Sequence, residues 1–484
     1  MSMDGPAKAD IPSDRRALVA VDLGAESCRV SLLRWHGDVP RIELVHRFPN
    51  NAVERAGHLH WDFNGILDGL HRGFIKCAEI ADEGVRSLAV DGWAVDYVRL
   101  DESGKAVADP FCYRDERTIA AETELNKILS ASRMREITGI QLLRLNTVYQ
   151  MFADEPEMKQ RRWLNLPEYL LFLLGGRSVS EFTNATHTQM IALDGKWSKE
   201  IFAALGQPLE QAPEIVEPGT DLGIAQGELA TLPAFANTRL IAPACHDTAS
   251  AIAAIPDGGD DWAYISSGTW SLVGTLLRAP INTAAARAEN FTNLGGVDGT
   301  ICFHKNVNGM WILRQCLEFW NGSGANLSMP SLVRDAAAFA RRGYVLDVDD
   351  DDLLLPGHMP ERINAQLRRR GLAALSEDAK DAAEMVAFLL QSLAARYAEV
   401  LRNAAEITGK HFKKLYIMGG GSQNELLNQL TAEATGLEVR RAGVECSTLG
   451  NFAVQLATLE RERTNSERPT SVWAARLTEA QENS

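Results

Sequence analysis

The segment IAPACHDTASAIAAI, Ile241 to Ile255, runs apolar, breaks at His246-Asp247-Thr248 and resumes as a helix of small residues. A carboxylate at such a strand end can accept a proton from a substrate hydroxyl, with His246 and Thr248 as hydrogen-bonding neighbours for a polyol. Asp247 can equally be a helix N-cap, a common use of aspartate. A second polar cluster, LAVDGWAVDYV from Leu88 to Val98, places Asp91, Trp93 and Asp96 within one strand pair. Burying two carboxylates is costly unless they bind something polar. A sugar suits them: its hydroxyls go to the acids and its C–H face to Trp93. An edge hairpin with outward-facing acids is the plainer alternative.

Phosphoryl transfer needs little beyond positioning, charge neutralisation and such a base, and three small-residue turns offer the positioning. ALVAVDLGAESCRVSLLRW, Ala17 to Trp35, reads as a strand, a break at Asp22-Leu23-Gly24-Ala25, and a return strand. AYISSGTWSLVGTLL, Ala263 to Leu277, repeats that design. Two such turns facing each other across a cleft can grip a polyphosphate through backbone amides and hydroxyls. Asp22 would then sit at the cleft wall, placed to hold a phosphate-bound Mg²⁺ directly or through water. The third turn, LYIMGGGSQNELLNQL, runs strand, Gly419-Gly420-Gly421, helix. Its glycines let a flat or charged ligand approach the backbone and the helix N-terminus. Each turn alone fits a tight structural bend; together they point to a nucleotide cleft. The chain has no Gly-x-x-x-x-Gly-Lys-Ser/Thr motif and no dinucleotide fingerprint followed by an acid.

These turns must be carried by more than one domain, because 484 residues exceed what a single core supports. The apolar fraction of 45% and charged fraction of 23% belong to a soluble globular protein. A formal net charge of −15 argues against nucleic-acid or anionic-membrane partners, so phosphate must be held by local amides and a cation. Seven scattered cysteines without a Cys-x-x-Cys pair suit a reducing cytosol, not a disulfide framework or a zinc site. The polar start lacks a secretory h-region, and the apolar run at 169–174 is too short to span a bilayer.

Periodicity predicts strands near 17–23, 29–35, 41–48, 86–91 and 95–100, and helices over 62–82, 115–130 and 164–174. A Pro/Gly/Asp-rich linker at 255–262 forms the seam. Beyond the second hairpin come helices near 306–320, 331–342 and 380–407, a strand at 414–418, and helices at 423–435 and 447–460. The pattern is an α/β fold with helices covering sheets. The acidic run DVDDDD, 347–352, reads as an exposed loop without calcium-site spacing. Residues 1–16 and those after about 464 are expected to be loose tails.

The segments VAVDLGAESCRV, AVDGWAVDYVRLD, YRDERT, TGIQLLRLNTVYQ, FTNATHTQM, CHDTASA, ISSGTWSLVG, HKNVNGMWIL, MGGGSQNELLNQL and ECSTLGNFAVQ follow one another from about 17 to 462. In that order they resemble an FGGY-type carbohydrate kinase, and GTWSL, HDTAS and DGWAVD are most similar to its rhamnulokinase branch. The resemblance implies the two-domain actin-like ATPase fold (hexokinase-type, ribonuclease H-like), with a mixed sheet and flanking helices in each domain and a cleft between them. Residues 17–256 would hold the sugar site, first phosphate loop and base; residues 257–463 would hold the second phosphate loop and adenosine site.

By the same resemblance Asp22 is the Mg²⁺-associated acid. Ala25, Glu26, Ser27, Cys28 and Arg29 form the first ATP phosphate loop, and Thr269 marks the second. Gly420 and Gly421 fall at the adenosine. Asp247 is the proton acceptor, and His246, Thr248 and Asn306 contact sugar. Three departures stand out. Glu26 and Cys28 replace a serine and a glycine, which obliges Glu26 to point away from the phosphates or to share a cation. Ala94 replaces a glycine beside the sugar, and Arg314 stands where a glutamine can contact nucleotide. The implied reaction moves the γ-phosphate of ATP, with Mg²⁺, to the C1 hydroxyl of L-rhamnulose in a cytoplasmic monomer or homodimer. A kinase for L-fuculose or L-xylulose, or a non-catalytic binding protein on the same fold, are the alternatives.

Overall fold

The computed structural model describes residues 11–443, 445–464 and 469–482. Two six-stranded mixed sheets organise the chain. The first runs, in spatial order, Thr220–Ile224, Arg239–Ala242, Val85–Gly92, Ala17–Leu23, Ser27–His36 and Val39–Pro49. Ala17–Leu23 is buried along its whole length. That is why it reads as a continuous apolar run: it pairs with the return strand on one side and in parallel with Val85–Gly92 on the other. The parallel register sets Asp22 level with Asp91, and Gly92 bridges to His246. Three of the carboxylate-bearing segments therefore lie at the C-terminal ends of neighbouring parallel strands in this sheet.

The second sheet runs Thr292–Gly295, Ile301–Asn308, Trp270–Leu277, Trp262–Ser267, Lys414–Met418 and Glu438–Arg441. Each sheet has its own apolar core. A third core joins the halves, with Leu18, Ala20 and Ile241 of the first sheet packed among Phe452, Leu456 and Trp473. The helix Cys446–Thr464 is thus chain-distant from the first sheet but seated on it. Ser87 Oγ donates to Gln455 Oε1 at 2.6 Å, and Gln455 Nε2 donates to the Val19 carbonyl at 3.0 Å. A Cβ at Gly450 would lie 1.7 Å from the Ser250 carbonyl oxygen, so only glycine lets this helix approach Asp247–Ala253.

Three expectations need correction. Residues 301–308 are a strand, because the alternating HKNVN pairs with the return strand of the second hairpin; the helix starts at Trp311. The helix predicted over 331–342 is Met329–Ala336. The chain after 464 is not a loose tail: Thr470–Glu482 is a helix that buries Trp473, Ala474 and Leu477. At the other end Asp14 pairs with Arg16 and Arg86, while residues 1–10, like 465–468 and 483–484, lie outside the described residues. The acidic run is pinned, not free, with Asp349 on Arg396 at 2.9 Å and Asp350 on Arg369 at 2.7 Å. The seven cysteines are free thiols and all buried. No helix among the described residues is long and apolar enough to cross a membrane.

Candidate active site

The first hairpin turn is charged and fastened. Asp22 keeps 4% of its side-chain surface exposed, and both its protein bonds fall on Oδ2: Arg29 Nη1 donates at 3.0 Å and Ser447 Oγ at 2.7 Å. Burial raises its pKa, and the Arg29 charge partly offsets this. Arg29 Nε also lies 3.2 Å from Glu445, which reaches Arg47 at 2.7 Å. Asn50 ties the turn from below, donating Nδ2 to the Gly24 carbonyl at 3.1 Å and its amide to the Glu26 carbonyl at 3.0 Å.

Asp247 begins the helix Asp247–Ala253 but does not cap it; His246 holds the N-cap position and makes no side-chain cap bond. The Asp247 carboxylate accepts from its neighbour Thr248 Oγ1 at 3.1 Å, lies 3.3 Å from His246 Nε2, and keeps 35% of its side chain exposed. Enclosure of the carboxyl, and then the charge of Asp22, push it up to about 7. His246 is held down at about 3, by burial first and His304 second, so it is a neutral imidazole at physiological pH. Its ring centroid lies 3.9 Å from that of His187 with the planes tilted by 56°, and Tyr264 bonds His304 Nδ1 at 2.8 Å.

The Leu88–Val98 cluster turns inward, which removes the edge-hairpin alternative. Asp96 accepts from Trp61 Nε1 at 2.6 Å, Trp93 Nε1 at 3.0 Å, Gln150 Nε2 at 2.9 Å and the Tyr113 amide at 3.2 Å. Its oxygens are spent on protein donors, so the expected sugar-facing acid is a structural hub. Burial still lifts it to about 6. Asp91 has no exposed surface and its Oδ2 lacks a partner; burial, then Asp22 and Asp247, hold its pKa well up. Trp93 is 6% exposed, and its ring centroid lies 4.6 Å from that of Trp61 with the planes tilted by 47°. Ala94 follows in the same buried stretch. Val95 takes φ of 72°, a strained value for a β-branched residue, held by Thr147 Oγ1 on its carbonyl at 2.7 Å.

The second half supplies an uncharged counterpart. The amides of Met310 and Trp311 bond the Gly268 and Thr269 carbonyls, which leaves Thr269 exposed at the hairpin tip. A Cβ at Gly421 would sit 2.0 Å from Ser267 Oγ, so the glycine loop presses on the hairpin. Gly268, Gly420 and Gly421 line one cavity of about 780 Å³ with Met329, Val333 and Leu426. Asn306 donates Nδ2 to Gln141 Oε1 at 2.7 Å, a bond between the halves. Gln141 and Ser447 escaped attention in the sequence because each is a single polar residue whose partner is remote in the chain.

Residues 17–254 match the model of the FGGY family of carbohydrate kinases, N-terminal domain, and residues 263–459 match its C-terminal domain. The chain is 36% identical to a rhamnulokinase of Enterococcus faecalis over 92% of this chain and 89% of that one. It is 34% identical to a rhamnulokinase of Bacteroides thetaiotaomicron over 91% and 90%. The chain belongs to the FGGY family of carbohydrate kinases. It is an ATP-dependent sugar kinase with the two-domain actin-like fold. Solved structures agree on the fold: a ligand-bound xylulose kinase of Lactobacillus acidophilus superposes with a TM-score of 0.78 at 13% identity, covering 96% of each chain. Glycerol kinase of Plasmodium falciparum with ADP gives 0.75 at 12% identity, covering 96% of this chain and 92% of that one.

Two of the residues singled out in the sequence meet here. Glu26 does share a cation: Arg314 Nη1 lies 3.4 Å from its Oε1, across the two halves. Cys28 is buried with its thiol pushed up to about 12, by burial first and Asp22 second, so no thiolate adds charge to the first hairpin turn.

Proposed function

We propose that this kinase transfers the γ-phosphoryl group of ATP to the C1 hydroxyl of L-rhamnulose, giving L-rhamnulose 1-phosphate and ADP. The observation that carries the chemistry is Asp247: a carboxylate open to the cleft, free of any capping duty, with its pKa about 7. A base poised near the working pH takes a proton most effectively. Asp247 accepts the C1 hydroxyl proton as the oxygen bonds to phosphorus, and the bond from phosphorus to the β-phosphate oxygen breaks. Neutral His246 with Thr248, and Asn306 with Gln141, orient the ketose. Amides of the turn Ala25 to Arg29 and the Thr269 hydroxyl hold the phosphates, and Gly420 and Gly421 admit the adenosine.

Mg²⁺ supplies neutralisation of phosphate charge when bound. Asp22 fits it: Oδ1 is left by the two bonds on Oδ2, and magnesium bound through substrate phosphates needs only one or two carboxylates. Among the described residues no group of three or more His, Cys, Asp or Glu is arranged to hold a metal ion. Division near residue 256 into a sugar half and a nucleotide half, action in the cytoplasm, and a monomeric or homodimeric state belong to the same reading.

The preference for L-rhamnulose rests on the rhamnulokinase relatives. It is tested by ADP release over L-rhamnulose, L-fuculose and L-xylulose. One methyl or hydroxyl difference is worth about 1–3 kcal/mol, so L-rhamnulose should lead in kcat/KM by about 10-fold or more. Either other ketose leading would overturn the assignment.

A further inference from the structure

The turn that carries Asp247 is held from behind by a buried acid. Glu181 has no exposed surface and stands at the N-cap of the helix Phe182–His187, where its Oε1 accepts the Thr183 amide at 2.8 Å. That bond is ordinary capping. Its Oε2 does something a cap does not require: it accepts the Cys245 amide at 2.7 Å and Thr183 Oγ1 at 2.5 Å. Thr183 Oγ1 in turn accepts the His246 amide at 3.2 Å. Both backbone amides preceding Asp247 therefore end on the Glu181–Thr183 pair, while the Cys245 carbonyl accepts from Gly92 on the opposite side at 2.9 Å.

A second acid backs the first. Glu168, also fully buried, accepts the Glu181 amide at 3.1 Å and Asn184 Nδ2 at 2.9 Å. Burial raises both acids, while the donors on Glu181 and Glu168 favour their charged forms. Two buried acids in series are a costly way to cap a six-residue helix, for which a surface serine would serve. The far end of that helix meets the other half, where the Gly295 amide donates to Thr186 Oγ1 at 2.9 Å. The helix is thus wedged between the second half and the turn that bears Asp247.

We propose that Glu181 and Thr183 are positioning residues for phosphoryl transfer, fastening the Cys245–His246 backbone so that Asp247 and His246 enter the cleft in the productive direction. This rests on the reading of Asp247 as the base. A shift of about 1 Å in a reacting group costs on the order of 100-fold in rate.

The test compares Thr183→Val, Thr183→Ser and Glu181→Gln, with Asp247→Asn as control. Valine keeps the shape of threonine but gives the His246 amide no acceptor. Glutamine at 181 sets an amide N–H against that of Cys245 or Thr183. Thr183→Val and Glu181→Gln should lose about 10- to 100-fold in kcat with KM for MgATP within about twofold, and the acid limb of the kcat profile should move from pH near 7. Thr183→Ser, which restores the acceptor, should recover kcat to within about threefold of native. Unchanged kcat and pH midpoint in folded Thr183→Val, with only a lower melting temperature, would overturn the proposal even if Glu181→Gln fails to fold. Substantial turnover in Asp247→Asn would remove the base reading and this inference together. An inert Asp247→Asn beside a native-like Thr183→Val would remove this inference alone.

Discussion

The hairpins that open the two halves share a strand order but present different chemistry. In each sheet the hairpin's first strand lies between its return strand and a parallel strand, and a third antiparallel strand follows on the return side. Counting back from Gly24 and Gly268 aligns Asp22 with Ser266. The first turn is anionic and fastened, with Asp22 on Arg29 and Ser447. The second is uncharged, its Thr269 exposed above a glycine-lined cavity. The repeated strand order supplies amides on both sides, whereas charge is confined to one. Carboxylates on both walls would repel a polyphosphate twice over, and unlike the amides their charge acts at long range. On the proposed reading, that difference would assign protons and metal to the first half and the nucleotide to the second.

The sharpest way to break this division is Asp247→Asn. The substitution keeps size and removes the ability to take a proton, so turnover should fall by about two to four orders of magnitude while ketose and MgATP still bind. In the native enzyme kcat should rise with pH through about 7, as Asp247 loses its proton. The same shift has a stability sign. An acid whose folded pKa lies above its unfolded value of about 3.9 contributes stability below about pH 4 that is lost as pH rises through about 7. Asp247→Asn should therefore melt at or above the native temperature at pH 8, with the gap closing toward pH 4. A folded variant with substantial turnover, or one markedly less stable at pH 8, would refute the base assignment and point to a structural duty.

The complementary perturbation in the second half should be milder and of another kind. Thr269→Ala removes one hydroxyl that faces the nucleotide phosphates in the proposed reading. Loss of one hydrogen bond to a charged group is worth about 1.5–3 kcal/mol, or about 10- to 100-fold in KM for MgATP. Steady-state kinetics should show kcat and the ketose KM nearly unchanged. A fall in kcat at constant KM would mean that the second half also acts in the transition state, and the division of labour would fail.

Much of this was legible because carboxylates and glycines at strand ends interrupt apolar runs. Asp22, Asp247 and the three turns announce themselves in that way, and the strand limits follow from where the apolar residues stop. HKNVN does not read as a strand because five polar-rich residues alternate too briefly to outweigh the helix beginning at Trp311. The helix Thr470–Glu482 was missed because its burial depends on tertiary packing of Trp473 and Leu477 against the first half, which no local period reveals. Gln141, Ser447 and Glu181 are invisible for a similar reason: their partners stand 165, 425 and 64 residues away. Asp96 stands out in the sequence as a buried acid, but no local pattern tells a sugar's hydroxyl from the indole N–H of Trp61 as its donor.

The smallest effect lies where the halves touch, at Glu26 and Arg314. At 3.4 Å, with side chains 74% and 43% exposed, they form a solvated pair. Such pairs are worth at most about 1 kcal/mol, so effects on KM for MgATP should stay within about fivefold. Glu26→Ser frees Arg314 and removes an acid near the phosphates, so KM should stay level or fall. Arg314→Gln leaves Glu26 uncompensated beside the phosphates, so KM should rise. If the two residues act as one compensated exchange, the double variant returns to within about twofold of native, and the coupling weakens from 50 mM to 500 mM salt as screening shortens to a few ångströms. Strict additivity of the two single effects would show that Glu26 and Arg314 are neighbours without an energetic link, and the charge asymmetry of the first turn would then rest on Asp22 alone.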